Sequence, residues 1–433
     1  MTLHPAWFIA LMLVAPATIA APMAASEPMT LDAYYAAALQ RSEVVASQGE
    51  LIVQAEERAR QAVATMLPGL NGVGTFNRYD AGTTPSPPVT VPPTPPSPLE
   101  TRTHISKLTV TQSITRGFRE FATVRQSRAL MGAQADDYHN ARVLLYKDVV
   151  QNFYTVLSIE QDLRNYNEEI NQNLERERDI QARVRIGRSR PSEVLNVQAT
   201  ISTLRAQVEQ MQGQRRVARE SFAFLSGRDA TTPLLETRQA PSLEPLDVYL
   251  ARAEARPDVR ASQKRLTAAR EGTTVAERAH LPSLELSGNY YLYRDDLYDS
   301  KWDTQLVLTV PLYAGGATES KRREAVSQRV QSELAVSQVR RQAEQEIRAL
   351  YESVMFNLTQ VAALEHATEA ARKSYEAQVR DYRLGLVTNL EVLQALTTYQ
   401  QNQRALDRAR YTTQADYQRL LVASARKPEP TTP

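Results

Sequence analysis

The stretch "RLGLVTNLEVLQA", Arg383–Ala395, interrupts a long helical pattern with Gly385 and a new helix start signal. An earlier stretch, "RIGRSRPSEVLNVQA" (Arg185–Ala199), makes the same interruption with Gly187, 198 positions before Gly385. Glycine ends helices because it adopts the left-handed conformation at little steric cost. The two stretches therefore predict two helical hairpins of one design, built from an internal repeat.

A second pair of motifs supports the repeat. The motif "TVTQSITRGF" contains Gly117, and its counterpart "LTVPLYAGG" contains Gly315 and Gly316. Gly117 and Gly315 are again 198 positions apart, whereas Pro68 and its counterpart Pro282 are 214 positions apart. An offset that changes once indicates a single insertion, here of about 16 residues in the first copy.

The inserted segment is visible as "PSPPVTVPPTPPSP", residues 85–98, with eight prolines in 14 positions. Proline removes a backbone donor and favours extended polyproline conformation, so this segment is not the interior of a strand or a helix. We expect an exposed loop at a hairpin tip. Both a plain linker and a partner-binding segment are compatible with this composition.

The N-terminus carries an apolar run from Ala6 to Ala20, followed by small residues. This pattern is typical of a secretory signal peptide, with cleavage after Ala20 or Ala25. No Lys or Arg precedes the apolar run, so a membrane anchor stays an alternative. After Ala25 no run of about 18 apolar residues follows, which predicts a mature chain without a transmembrane helix.

Composition argues against several functional classes. The chain has no Cys, five His and a formal net charge of +2. Without Cys there are no disulfides, thiolate metal sites or Cys nucleophiles, and the near-neutral charge argues against nucleic-acid binding. A phosphate-binding Gly loop, a nucleophile elbow and a paired-His motif are also missing from the sequence. We therefore predict neither an enzyme nor a cofactor.

Period-two alternation predicts four strands. The clearest example is "SLELSGNYYLY" (Ser283–Tyr293), which places leucines and Tyr290 on one face and polar residues on the other. The pattern recurs at Trp302–Tyr313 and, more weakly, at Leu70–Arg78 and His104–Ile114. Aromatic residues gather near the strand ends, which fits either the interfacial girdles of a membrane protein or ordinary strand packing.

Helical patterns account for most of the remaining chain. Each repeat opens with a helix rich in Ala, Leu, Arg and Glu, predicted at Leu31–Gln48 and Leu246–Leu266. The runs after the strands, Arg119–Ala182 and Ala317–Arg383, lack Pro and are on the order of 95 to 100 Å long as helices. The second arms of the two hairpins are predicted at about 191–225 and 388–425.

These elements predict a mainly α fold with a small transmembrane β portion. Four strands of about ten residues are long enough to cross a bilayer but too few to close a barrel, and open sheet edges are not viable in lipid. Closure therefore requires several protomers to pool their strands. The predicted organisation is a signal peptide (1–25), a first repeat (26–227), an inter-repeat linker (228–245), a second repeat (246–426) and a disordered tail (427–433).

The duplication, the strand pairs and the very long helices, together with the "PLYAGG" and "YRLGLVTNLEVLQA" motifs, resemble the TolC-like outer membrane efflux proteins over roughly Met29 to Ala425. The resemblance implies a homotrimer in outer membrane lipid, in which long α-helical hairpins form a periplasmic tunnel and four strands per protomer pool into a 12-stranded barrel. It further implies a periplasmic adaptor at the hairpin tips and an inner-membrane pump of the RND or ABC class. Such a channel conducts substrates to the cell exterior in efflux or type I secretion.

The resemblance also implies roles for residues at the turns. Family members place acidic residues just after the second Gly, where they form rings that narrow the tunnel mouth. With Gln394 neutral, we expect an entrance that is less strongly cation-selective than in members with two acidic rings. The expected tunnel aperture or gate comprises Glu391, Gln394, Glu193 and Tyr382. The expected adaptor-contacting tips comprise Arg185, Gly187, Arg188, Arg190, Arg383, Gly385, Leu386 and Thr388, and the strand-to-helix turns comprise Gly117, Gly315 and Gly316.

Local signals at the turns predict how each second arm begins. Thr388 and Glu391 have the spacing of a capping box, and Pro191 suits the first turn of a helix. The basic segment "RSRP" of the first turn fits an adaptor contact or simply favourable charge at a helix end. A periplasmic coiled-coil scaffold or a surface stalk protein without channel activity would explain the long helices, but it leaves the four strands unexplained.

Overall fold

The computed structural model describes residues 28–78, 102–236, 241–294 and 300–426. The predicted signal peptide, the proline-rich segment 85–98 and the predicted tail lie outside these ranges. In the described part of the first half, the elements are α1 (Leu31–Arg41), α2 (Glu43–Ala64), β1 (Gly69–Arg78), β2 (Arg102–Arg116), α3 (Arg119–Arg185) and α4 (Pro191–Ser226).

The second half repeats the same order of elements. It also contains two short 3-10 helices, at 253–255 before α6 and at 278–280 after α6. The helices α3 and α7 contain 67 and 68 residues, so each is about 100 Å long at 1.5 Å per residue. The elements are α5 (Leu246–Leu250), α6 (Pro257–Glu277), β3 (Ser283–Arg294), β4 (Trp302–Thr309), α7 (Ala317–Leu384) and α8 (Asn389–Ala423).

The opening helix of each repeat is split, so the prediction of one continuous helix was wrong. In the first repeat α1 ends at Arg41, and Ser42 caps α2 by accepting a hydrogen bond from the Val45 N–H at 3.3 Å. In the second repeat Arg256 is extended before Pro257. A proline disfavours helical backbone at the preceding residue, which explains the break.

The last strand is shorter than the sequence predicts. β4 ends at Thr309 instead of Tyr313. Thr309 pairs with Ser283, the first residue of β3, so the chain beyond Thr309 has no strand beside it. Pro311 lies in this segment and has no N–H to donate to a ladder.

The four strands form one antiparallel sheet in the order β1-β2-β3-β4. β2 pairs with β1 and β3, and β3 pairs with β4, with register shifts at Ser106/Lys107 and Ser113/Thr115 between β2 and β3. Within the described chain, β1 and β4 each have one edge that no strand covers. The sheet is therefore open at both ends.

The helices form a wall that is four helices wide at each level. Close to the sheet, neighbouring helices follow the order α2, α3, α6, α7, and toward the hairpin turns they follow the order α4, α3, α8, α7. The long helices α3 and α7 are common to both levels. Each hairpin is thus continuous with the part of the wall that carries the sheet.

Apolar packing is concentrated in three clusters. The largest joins α1, α3, α4 and α8, and its fully buried rings are Tyr34, Tyr35, Tyr146, Phe153 and Phe222. A second cluster joins α3 to α4 along the first hairpin, and a third joins α5 to α7 and α8. Among the described helices, none combines the length and the hydropathy required to cross a bilayer.

Candidate functional site

The sheet has one apolar and one polar face. A row of polar residues crosses all four strands: the Thr109 hydroxyl donates to Asn289 Oδ1 at 2.8 Å, and the Asn289 amide donates to Asp303 Oδ1 at 2.8 Å, with Asn71 next in register. The opposite face is apolar and exposed. Its large side chains are Leu70, Phe76, Leu108, Val110, Leu286, Tyr290, Leu292, Trp302, Leu306 and Leu308.

Both hairpin turns have the backbone geometry that the sequence predicts. Gly187 and Gly385 are left-handed, with φ of 72° and 79°. In the first turn the Arg188 N–H donates to the Arg183 carbonyl at 2.8 Å, and in the second the Leu386 N–H donates to the Asp381 carbonyl at 3.0 Å. These bonds satisfy carbonyl groups at the helix ends, as in a Schellman motif.

The second arms also begin as predicted. Thr388 and Glu391 form a capping box: Glu391 Oε2 accepts from the Thr388 N–H at 2.6 Å and from the Thr388 hydroxyl at 2.9 Å. These hydrogen bonds lower the pKa of the Glu391 carboxyl, because they stabilise its ionised form. Pro191 occupies the first turn of α4.

Tyr382 joins the two hairpins. The residue is 6% exposed, and its ring centroid lies 3.8 Å from the Arg176 guanidinium carbon and 4.5 Å from that of Arg183, both on α3. The Tyr382 hydroxyl lies 3.3 Å from Ser189 Oγ in the first turn. Asp179 lies 3.6 Å from Arg176 and 3.5 Å from Arg183, so its carboxylate holds both guanidinium groups.

Sequence reasoning missed the partners of Tyr382. Arg176, Asp179 and Arg183 follow a three- and four-residue step on α3, a spacing that places them on one helix face. Arg176 also donates to Asn389 Oδ1 at 2.8 Å, which ties α3 to the first turn of α8. Burial lowers the pKa of Arg176, although Tyr382 and Asp179 favour its charged form.

The outer surface of the tips is basic and apolar. Exposed apolar residues that the sequence did not single out, Ile186, Leu384 and Leu390, lie beside the predicted positions. The structure therefore brings the predicted tip residues of both hairpins together with an apolar surface. The predicted residues that are exposed are Arg185, Gly187, Arg188, Arg190, Arg383, Gly385, Leu386 and Thr388.

The predicted aperture residues differ in their surroundings. Glu391 and Gln394 are exposed and lie one turn apart on α8. Glu193, in the first turn of α4, is half-buried, and its Oε2 accepts no hydrogen bond in the described chain. Tyr382 is buried between the hairpins. Of the four residues, Glu391 is thus the exposed acid and Tyr382 is the buried contact between the hairpins.

The contact between α3 and α8 is a polar seam, which the sequence did not reveal. Burial raises the pKa of Asp162 and of Glu169, and their Arg partners oppose this shift. Arg404 and Glu169 are both buried. The hydrogen-bonded pairs of the seam are Asp162–Arg408 at 2.7 Å, Asn165–Asp407 at 2.9 Å, Glu169–Arg404 at 2.5 Å and Gln172–Gln400 at 3.0 Å.

The strand-to-helix turns use left-handed residues. Gly117, Gly315 and Gly316 have φ of 71°, 60° and 81°. A Cβ at Gly117 would lie 2.7 Å from Leu281 Cβ and 2.8 Å from the Arg278 carbonyl oxygen, whereas the space around Gly315 and Gly316 is open. Gly117 therefore meets both a conformational and a steric requirement.

The geometry defines a class of protein: an open-edged sheet with one apolar face, continued by helical hairpins of about 100 Å, belongs to channel-forming proteins of the outer membrane. Residues 34–228 and 249–426 match the family described as outer membrane efflux protein. The chain belongs to this family, and the protein is located in the outer membrane and extends into the periplasm.

Known relatives share both sequence and fold. The chain is 23% identical over 329 residues to the outer membrane efflux protein BepC of Brucella suis biovar 1 (strain 1330), a match that covers 73% of this chain and 70% of BepC. It is 24% identical over 328 residues to the outer membrane protein TolC of Escherichia coli (strain K12), covering 71% and 66%. The crystal structure of VceC from Vibrio cholerae superposes with a TM-score of 0.78 at 19% identity, covering 91% of this chain and 95% of VceC.

Proposed function

We propose that three copies of this chain form one channel that conducts substrates across the outer membrane. The open, amphipathic sheet carries this proposal. Each unpaired backbone group at the edges of β1 and β4 would cost several kcal/mol in lipid, so the edges require partners. Three sheets of four strands joined edge to edge give a closed 12-stranded barrel with its apolar face toward lipid.

The same assembly gives the helices a tunnel. At each level α7 lies at one side of the four-helix wall and α2 or α4 at the other, so copies arranged in a ring bring these outer helices together. Exposed apolar residues on α7, such as Leu334 and Phe356, support a contact between protomers. The tunnel wall then has 12 helices, four from each copy.

The hairpin tips supply a gate in this proposal. Tyr382 with Arg176 and Arg183 holds the two hairpins of one protomer together and keeps the tunnel end narrow. Glu391, repeated three times around that end, favours cations. Gln394 lies one turn further along α8, and Glu193 lies in the first turn of α4. Separation of the hairpins at Tyr382 widens the end.

A periplasmic adaptor binds the outer surface of the tips and connects the tunnel to an inner-membrane pump of the RND or ABC class. The exposed arginines of the first turn and the exposed Leu384 and Leu386 of the second support a surface for a protein partner. The two turns share the same backbone geometry but carry different side chains. This difference suits contacts with two different parts of one adaptor.

Native mass spectrometry of the detergent-extracted protein, followed by planar-bilayer recording, tests the proposal. We expect a trimeric mass and single-channel currents. A periplasmic scaffold or stalk is the alternative: it would leave the membrane fraction in urea without detergent, and it would give no current. Cysteine crosslinking from Arg188 and Leu386 to coexpressed adaptors then tests the predicted contact.

A further inference from the structure

The turn between β2 and α3 contains a phenylalanine in an unusual conformation. Gly117 and Phe118 are consecutive left-handed residues, with φ of 71° and 57°. At the equivalent positions of the second repeat, Gly315 and Gly316 have φ of 60° and 81°. The geometry is therefore conserved between the copies, but the first copy uses Phe where glycine would be free of steric cost.

The Phe118 side chain is not explained by packing within the chain. It is 57% exposed and belongs to none of the three apolar clusters. Phe121, three residues later, is 47% exposed. The second repeat has Gly316 and Glu319 at these positions, and Glu319 pairs with Arg322 at 2.8 Å. Only the first repeat has aromatic residues at these two positions; in the second repeat the exposed aromatic residue is Tyr313, ahead of the two glycines.

Trimer assembly would not cover these rings. β2 lies between β1 and β3, and α3 lies between α2 and α6 at this level, so the turn is in the middle of the protomer's surface. The turn is also held firmly. Arg278 donates to the Phe118 carbonyl at 2.8 Å, and the Phe118 N–H donates to Thr115 Oγ1 at 3.1 Å.

The turn lies at the end of the sheet from which α3 continues, on the apolar side. Thr115 pairs with Leu284, whose neighbours Leu286 and Tyr290 belong to the apolar face. Because the Phe118 N–H bonds to the side chain of Thr115, the turn folds over that face. Arg116 is exposed next to it, a cation at the level where phospholipid headgroups would begin.

We propose that Phe118 and Phe121 anchor the channel in the phospholipid leaflet that faces the periplasm, with their rings at the boundary between headgroups and acyl chains. The anchor rests on the proposed function, since it requires the sheet to lie in a bilayer. Aromatic rings beside basic residues are favoured at this boundary. Burial of the rings offsets the cost of the left-handed Phe118 and sets the depth of the barrel.

Tryptophan fluorescence tests the anchor. Phe118→Trp is introduced into a background with Trp7→Phe and Trp302→Phe, which removes both native tryptophans. The full-length protein is reconstituted into phosphatidylcholine vesicles with bromine near the headgroup or near the chain end. We expect Trp at 118 to be quenched strongly by shallow bromine, roughly halving its emission, and weakly by deep bromine. Ile186→Trp, exposed at the first hairpin turn and at the far end of α3 from the sheet, is the aqueous control.

The native Trp302 separates failure of the anchor from failure of the proposed function. It lies on the apolar face of the sheet and is 65% exposed. If brominated lipid quenches Trp302 but not Trp at 118, the sheet is in the bilayer and the anchor is wrong. If neither is quenched, the proposed function itself fails. Quenching of Trp at 118 by soluble iodide to the level of Trp at 186 would also overturn the anchor.

A second variant removes the ring without disturbing the fold. Phe118→Gly restores the residue of the second repeat, and glycine suits a left-handed backbone better than Phe. We expect its thermal stability in detergent to be unchanged or higher, while less of it resists extraction from vesicles by carbonate. A loss of detergent stability would show that the ring packs against protein instead.

Discussion

The ring of Tyr382 on α7 stacks on the guanidinium of Arg176 on α3, 3.8 Å away, although the two residues lie in different hairpins and different repeats. Arg183 flanks the ring at 4.5 Å, and Ser189 contacts the hydroxyl. Each cation–π contact contributes about 0.5 to 2 kcal/mol. Together these contacts make Tyr382 a direct link between the two hairpins at their tips.

Replacing Tyr382 tests the gate. Tyr382→Ala removes both cation–π contacts and should increase single-channel conductance in planar bilayers. Tyr382→Phe keeps the ring and loses only the hydroxyl contact to Ser189, so its conductance should stay close to that of the wild type. Equal conductance for wild type and Tyr382→Ala would show that the contact does not hold the tunnel end narrow.

The charge of Glu391 is predicted to make the entrance cation-selective. Glu391→Gln removes the charge but retains a capping residue, because Gln also serves at this position of a capping box. The reversal potential in a salt gradient should move toward zero, more so at low ionic strength. Gln394→Glu is the converse change and should increase cation selectivity. Unchanged selectivity and unchanged block by polyvalent cations in Glu391→Gln would contradict the assignment.

Two equivalent glycines should respond differently to the same substitution. Gly117→Ala places a Cβ 2.7 Å from Leu281 and 2.8 Å from a backbone oxygen, whereas Gly315→Ala meets open space. In both variants an alanine must adopt the left-handed conformation, which costs about 1 to 2 kcal/mol of stability. We expect Gly315→Ala to lower thermal stability modestly and Gly117→Ala to lower it further and reduce the yield of trimer. Similar melting curves for the two variants would refute the steric argument.

The polar seam should respond to pH through Glu169. Burial raises the pKa of this carboxyl above its ordinary value of 4.5. A raised pKa means that the packed seam favours the protonated form, so this contribution to stability is complete below about pH 4.5 and is lost as pH rises through the raised pKa. Hydrogen exchange near Arg404, corrected for intrinsic rates, should therefore increase with pH, and Glu169→Gln should flatten the profile.

Glu391 provides a control of opposite sign on α8, the helix that also carries Arg404. The capping hydrogen bonds lower the pKa of the Glu391 carboxyl. Its contribution to the stability of α8 is therefore complete above the ordinary pKa of a Glu carboxyl and is lost as pH falls through the lowered pKa. Exchange at the first turn of α8 should thus increase in acid. A parallel pH response at Glu391 and Glu169 would show that burial does not govern the seam.

Local chemistry explains what the sequence predicted well. The glycine turns, the Thr388–Glu391 capping box and the alternating strands depend on residues a few positions apart. The long helices follow from extended periodic patterns. The breaks at Ser42 and Pro257 are also local signals, and a closer reading of the proline in the second repeat would have predicted that break.

The contacts between the two hairpins could not be predicted from local sequence patterns. Asn165 and Asp407 are 242 positions apart, and Tyr382 meets Ser189 across 193. Such pairs depend on how two helices are placed side by side, which the sequence of either helix does not state. One signal was present: polar residues recur on α3 in steps of three and four at Asp162, Asn165, Glu169, Gln172 and Arg176.

The polar seam also determines axial alignment. α3 and α8 are antiparallel, and a shift of α8 by one turn would move Asp407 from Asn165 toward Asp162 or Glu169, so like charges would meet. Buried polar residues specify one alignment in coiled coils because the alternatives leave them unpaired. Gly187 and Gly385 each lie 15 residues from the Gln172–Gln400 pair, so the seam places both hairpin turns at the same level. The two tips thus form a level rim.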